Sequence, residues 1–217
     1  MKILITGAGS GIGRAVAEKF ETCKWKVDTI EVREGVQNQA PWLTRVREVH
    51  WELAEPYWYS AMVLNAGVQY FGLEEEWENA LDLLKTNIMG VYNGLHYAPV
   101  LLEHGSPICI ISSNAAYMAD LSSPLYHASK AAISSLTHSF SLIYAQKFRV
   151  FAICPGLVPT NIGGSGGVVP PELIEKVPIK REMKPEELAK YIYLLMTEFD
   201  YLVGEDVVID GGHRWAR

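Results

Sequence analysis

Tyr126 and Lys130 close the segment Tyr126-His-Ala-Ser-Lys130 and stand four residues apart, the spacing that stacks two side chains on one face of a helix. An ammonium beneath a phenol favours the ionised phenol, so the pair reads as an acid–base group usable near neutral pH. Ser113 lies 13 residues upstream, and a glycine-rich stretch opens the chain. Together these read as a site for moving a hydride and a proton. The pair alone is weak, because 11 tyrosines and 11 lysines in 217 residues give about half a chance match at this spacing. Its weight comes from the elements that must position it.

Those elements begin at the first residues. Lys2-Ile-Leu-Ile-Thr6 is a short apolar run of strand type, and Gly7-Ala-Gly-Ser-Gly-Ile-Gly13 follows at once. Ile12, Val16 and Phe20 then recur at helical spacing. Strand, glycine turn and amphipathic helix form the first half of a dinucleotide-binding unit, in which backbone N–H groups at the helix start face the pyrophosphate. Glycine is required where a Cβ would strike the ligand or the next element. The alternative for the motif alone is a glycine turn without a ligand.

A second strand, Lys26-Val-Asp-Thr-Ile30, ends at Glu31, about 20 residues past the glycine turn, where an acid accepts hydrogen bonds from the ribose hydroxyls of NAD. A 2′-phosphate there meets a like charge. Arg33 is the one nearby cation that could serve it, and Ser10 leaves the glycine turn without a basic residue. The charges therefore favour NAD(H), with NADP(H) as the other option. Taken by itself, Glu31 also fits a solvated strand end.

With these residues in place the chain resembles the short-chain dehydrogenase/reductase family from end to end. Thr6-Gly-Ala-Gly-Ser-Gly-Ile-Gly13 looks like its cofactor motif, with Gly7, Ser10, Gly11, Ile12 and Gly13 as contacts. Asn65-Ala66-Gly67, after Ala61-Met-Val-Leu64, resembles the segment that steadies the sheet beside the adenosine. Thr86-Asn87 with Gly90 resembles the helix of the catalytic asparagine, Ile110-Ile-Ser-Ser113 the strand of the catalytic serine, and Pro155-Gly156-Leu-Val158-Pro-Thr160 the loop that grips the nicotinamide carboxamide. Gly204-Glu-Asp-Val-Val-Ile-Asp-Gly-Gly212 resembles the last strand and turn.

The resemblance implies roles. Tyr126 exchanges a proton with the substrate oxygen, Ser113 hydrogen-bonds that oxygen, Lys130 binds the nicotinamide ribose and lowers the phenol pKa, and Asn87 holds a water linking the lysine to solvent. The implied reaction interconverts an alcohol and a carbonyl with a nicotinamide cofactor. Taken singly, Ser113 reads better as a strand-end cap and Asn87 as a helix residue bonded to nearby backbone. The reading from a different class is a catalytically idle dinucleotide-binding regulatory or scaffold protein, which a broken tetrad would signal. Here all four residues are present.

Composition bounds the remainder. At 217 residues and 49% hydrophobic the chain fits one domain spanning 1–217. A net charge of −6 argues against nucleic acid or an anionic membrane as partner. Cys23, Cys109 and Cys154 lack paired metal spacing, so no metal site is expected, and they read as reduced thiols of a cytoplasmic protein. The first strand starts at residue 2, which leaves no room for a signal peptide.

Strand-like segments near 3–6, 26–31, 46–51, 61–65, 107–112, 149–154 and 206–210 alternate with helical ones near 12–22, 76–103, 126–146 and 186–198. This predicts an α/β fold, a three-layer doubly wound parallel sheet of Rossmann type. Few residues separate the third strand, near Trp51-Glu52-Leu53, from the fourth near Ala61, so the crossover there is shortened, with one short turn around Trp58. Glu52 stands where the family prefers an aspartate near the adenine, and Leu53 follows it. The stretch from Gly67 to Asn87 also looks short, trimming one wall of the substrate cleft. Residues 160–171 carry four glycines bounded by prolines, which suits a flap over a small alcohol or carbonyl substrate. His127 and the terminal His213-Arg-Trp-Ala-Arg217 are candidates for touching substrate or a neighbouring subunit. The run Ala131 to Tyr144 has no charged residue apart from His138, so its outer side is expected to pack against a second copy in a homodimer or homotetramer.

Overall fold

The computed structural model describes residues 1–30, 59–71, 77–119, 123–164 and 166–216. Glu31, Arg33, Glu52, Leu53, the strand expected near 46–51, the short turn at Trp58 and Arg217 lie outside these residues.

Among the described residues six parallel strands form one sheet: β1 (Lys2–Thr6), β2 (Lys26–Ile30), β3 (Ala61–Leu64), β4 (Pro107–Ile111), β5 (Arg149–Pro155) and β6 (Asp206–Ile209), in the order β2-β1-β3-β4-β5-β6. The chain leaves β1 in both directions, to β2 on one side and β3 on the other, and such a reversal opens a crevice at the carboxyl ends of the strands. Alternation along each strand sends side chains to two separate cores. Leu4, Met62, Leu64, Ile108, Ile110, Val150 and Ala152 pack beneath Val91, Leu95, Ala98 and Ile133. Ile3, Ile5, Val63, Cys109, Phe151 and Ile153 pack beneath Val16, Phe20, Leu188 and Ile192. The sheet is therefore covered on both faces, which explains its near-continuous apolar strands.

The helices start where local chemistry favours it. α1 (Gly11–Thr22) follows the glycine turn, and Phe20 meets Trp25 and Tyr193 edge-on, each at a centroid distance of 5.1 Å. The expected helix over 76–103 is divided instead into α2 (Trp77–Leu84), a π-turn (Lys85–Met89) and α3 (Gly90–Leu101). A π-turn accommodates one extra residue in a helical run, and this one holds Asn87. Gly94 of α3 lies directly on the sheet, since a Cβ there would come within 2.4 Å of Leu64 Cδ2. α4 (Pro124–Ile143) begins two residues before the expected start because Pro124 suits the first helical turn. A single turn, α5 (Pro171–Ile174), follows the glycine-rich segment. α6 (Pro185–Thr197) then packs beside α1 on the second core. Among the described residues no helix is long and apolar enough to cross a membrane.

Candidate active site

The carboxyl ends of β1, β3, β4 and β5 converge on a cavity of about 280 Å³ lined by the glycine turn, Asn65 to Val68, Ser112, Ser113, Tyr126, Lys130 and the segment after β5. Its floor is made mostly of backbone. Gly7 has φ +68°, and a Cβ there would stand 2.8 Å from Ala66 Cα. Gly13 is tighter still: an added carbon would come within 2.1 Å of the Gly7 carbonyl oxygen and 2.4 Å of Asn65 Nδ2. Asn65 Nδ2 donates to the carbonyls of Thr6 (3.1 Å) and Gly7 (2.8 Å), while the N–H groups of Asn65 and Ala66 donate to Thr6 Oγ1 at 3.0 and 3.1 Å. These bonds tie β1 to β3 where the glycine turn leaves the sheet.

Ser10 is the extended residue ahead of α1, and its side chain does not cap the helix. No acidic residue occupies the first turn. The first N–H groups of α1, the positive end of its dipole, therefore meet the cavity beside Gly11 and Ile12 without an internal anion. Gly11 has φ +53° and faces Thr160, whose Cγ2 would lie 3.0 Å from an added carbon. Pro155, Gly156, Val158 and Thr160 supply the facing wall, and Gly156 sits so close to Asp210 that a Cβ would be 2.8 Å from its Cα. A dinucleotide fits this cradle: the helix start offers N–H groups to a pyrophosphate and the glycines leave room for it.

At the other end of the cavity Tyr126 is buried, with Ser113 beside its phenol. Ser113 is fixed by its own turn, because its Oγ accepts the Ala115 N–H at 3.1 Å at the start of residues 114–117. Lys130 sends its ammonium to the Ile111 carbonyl at 3.1 Å and lies 5.6 Å from the Tyr126 ring centroid. Burial, the first cause, pushes Tyr126 up to about 12, and the Ser113 bond pulls it down only in part. Burial likewise drives Lys130 down to about 8. Burial is the first cause at both groups, and the ammonium gives one of its donors to a backbone carbonyl.

Asn87 is fully buried and its side chain is committed. Oδ1 accepts the Val68 N–H at 2.8 Å, and Nδ2 donates to the Val68 carbonyl at 2.9 Å and to Ser129 Oγ at 3.1 Å. It is nonetheless near the lysine, since a carbon added at Gly67 would lie 3.4 Å from Asn87 Oδ1 and 3.6 Å from Lys130 Nζ. The structure accordingly brings Asn87, Ser113, Tyr126 and Lys130 to one end of the cavity.

Two residues behind Ser113 had no signal in their spacing. Asn114 is buried, and its Nδ2 lies 3.3 Å from Nδ1 of His213, which is buried as well. The terminal turn thereby packs behind the serine and does not reach into the cavity. His127 also points away, its Nδ1 2.9 Å from the Met118 carbonyl oxygen. Cys109 and Cys154 are buried free thiols pushed up by burial, Cys154 to about 12.

Comparison with known proteins gives the family. Residues 59–214 match the family model described as enoyl-(acyl carrier protein) reductase. Oxidoreductase UcpA of Salmonella typhimurium is 30% identical, with 96% of this chain and 92% of that protein aligned. The 3-oxoacyl-[acyl-carrier-protein] reductase FabG of Aggregatibacter actinomycetemcomitans is 28% identical over 97% of this chain and 98% of that one. The ligand-free aldohexose dehydrogenase of Thermoplasma acidophilum superposes with a TM-score of 0.83 at 26% identity, covering 100% of this chain and 95% of its own. The chain belongs to the short-chain dehydrogenase/reductase family and is an NAD(P)-dependent oxidoreductase.

Proposed function

We propose that this enzyme interconverts an alcohol and a carbonyl at the end of the cavity where Tyr126, Ser113 and Lys130 meet. The observation that carries the proposal is their convergence, with Asn87 behind Gly67, opposite the glycine cradle. Once bound, the nicotinamide supplies the hydride acceptor or donor, so that in oxidation the C–H bond breaks with its electron pair leaving, the O–H proton departs and a C=O forms. Ser113 orients the substrate oxygen, Tyr126 exchanges its proton, and Lys130 holds the nicotinamide ribose. Gly7, Ser10 to Gly13, Asn65 to Gly67, Pro155, Gly156, Val158 and Thr160 hold the rest of the cofactor. Because burial keeps the phenol protonated, Tyr126 is poised as the acid for carbonyl reduction at neutral pH, and alcohol oxidation gains as rising pH supplies the phenolate.

Glu31 favours NAD(H) over NADP(H), since a 2′-phosphate beside a carboxylate is disfavoured unless a cation intervenes. The assembly is a homodimer or homotetramer of cytoplasmic, single-domain subunits joined through α4. Ala128, Ala131, Ser135 and Ser139 form an exposed small-residue stripe along that helix, ending at Leu142, which is 80% exposed. Titration with both reduced cofactors, followed by turnover with a panel of ketones, tests the function. The reading expects tighter NADH and measurable reduction; tighter NADPH would assign the phosphate to Arg33, and failure to bind either cofactor would remove the function.

A further inference from the structure

Beyond Tyr126 the cofactor cavity opens through Gly67, Val68, Asn161 and Ile162 into a larger cleft of about 750 Å³. Its size suits a substrate of one or more rings. Every side chain that lines it among the described residues is uncharged. The apolar surface comes from Val68, Ile162 and the rings of Tyr70 and Phe71. Part of the polar lining is committed: Tyr70 donates its hydroxyl to Asp82 at 2.7 Å, and Asn161 Oδ1 accepts the Gly166 N–H at 2.8 Å. The amides of Gln69 and Asn79 and the amide N–H of Asn161 complete it.

Phe71 joins the two walls. It is 56% exposed, yet a carbon added at Gly163 would stand 2.4 Å from its Cε2, so the ring rests on the glycine of the opposite segment. Lys130, the cation at the reacting end, is held by the Ile111 carbonyl and turned toward the cofactor cavity. A carboxylate or phosphate entering the cleft would therefore lose water without gaining a cation from the described residues. A linear polyol would set more hydroxyls along the cleft than the amides of Gln69, Asn79 and Asn161 can pair, the rest facing rings and aliphatic side chains.

We propose that the substrate is an uncharged alcohol or its carbonyl counterpart on an apolar, ring-bearing body seated between Phe71 and Ile162, and that acids, phosphate esters and linear polyols are rejected. This deepens the alcohol–carbonyl reading above and rests on it.

The test compares α-tetralone, a tetralone carboxylate and a linear ketose as substrates of the wild type. In parallel, equilibrium binding of the same three compounds to the cofactor-loaded Tyr126→Phe protein is read by protein fluorescence. The neutral ring ketone is expected to exceed both others by about 100-fold in kcat/KM, with the same order in binding. Phe71→Ala raises KM for the ring ketone by about tenfold with kcat little changed, and Gln69→Arg narrows the gap to the carboxylate by at least about tenfold. Equal or better use of the carboxylate or the ketose overturns the proposal even though turnover upholds the reaction. Absence of turnover with preferential binding of the neutral ketone overturns the reaction and upholds the cleft. No binding of the ketone overturns the cleft proposal.

Discussion

The cofactor half of the site and the substrate half are built by different means. Around the glycine turn, backbone meets backbone: Gly13 touches the Gly7 carbonyl, Asn65 ties the ends of β1 and β3, and Gly156 lies on Asp210. Around the cleft, side chains from loops meet across open space, and the contact that bridges the walls is one ring on one glycine, Phe71 on Gly163. A backbone-made surface tolerates few residue types at each position, so it recurs with its motif. A surface of loop side chains can change residue by residue without disturbing the sheet. Relatives named for a 3-oxoacyl-[acyl-carrier-protein] and for an aldohexose therefore share this fold, while the cleft wall here differs in kind from its floor.

The comparison is broken most severely at Gly13. Gly13→Val forces side-chain carbons against the Gly7 carbonyl and Asn65, and is expected to weaken cofactor binding by about 100-fold or more, with a lowered melting temperature. Cofactor titration and thermal unfolding measure both, and binding within threefold of wild type would show that the cradle is not rigid. The next largest effect separates burial from chemistry at Lys130. Its folded pKa, about 8, lies below the ordinary 10.5, so the unfolded chain binds the extra proton between these values and the stability of the folded protein rises with pH across that window. Relative to Lys130→Met, wild type should gain about 3 kcal/mol between pH 8 and 10.5, measured by denaturant titration at both ends. The sign reverses for Tyr126, whose raised pKa makes its contribution fall as pH climbs from 10 toward about 12.

Asn87→Ala tests the tie between the π-turn and Val68. It leaves both backbone groups of Val68 without their partners and should cost about 2 kcal/mol of stability, with a smaller loss in cofactor affinity than in kcat. An unchanged melting temperature would mean that the π-turn does not depend on this side chain. The smallest effect on chemistry is expected from Leu142→Arg on the exposed side of α4, which should change kcat by less than about threefold while light scattering shows assembly shifting toward a 24.2 kDa species.

What was legible in the sequence follows the same division. Gly7 to Gly13, Asn65 to Gly67 and the β5 loop occupy the places their motifs imply, because strand ends and a glycine turn leave the chain little freedom. The tetrad converges for the same reason, with Ser113 at the end of β4 and Tyr126 and Lys130 one turn apart on α4. Periodicity did not show the π-turn, since the apolar pattern of 76–103 runs through it and the interruption serves Asn87's bonds to Val68 and Ser129. Nor did it show Asn114 against His213, a contact between residues 99 positions apart that no local spacing encodes. The i, i+4 spacing reports the proximity of Tyr126 to Lys130 and says nothing of how far both are removed from water.

The central claim is that Tyr126 moves the substrate proton within a cofactor site that holds together without its hydroxyl. Tyr126→Phe, assayed in single turnover with NADH loaded and a ketone that wild type reduces, tests it most directly, with the cofactor dissociation constant measured on the same sample. The account predicts a rate lowered by about 1000-fold and a dissociation constant within about twofold of wild type. A rate within tenfold of wild type, a barrier change below about 1.4 kcal/mol, would contradict it.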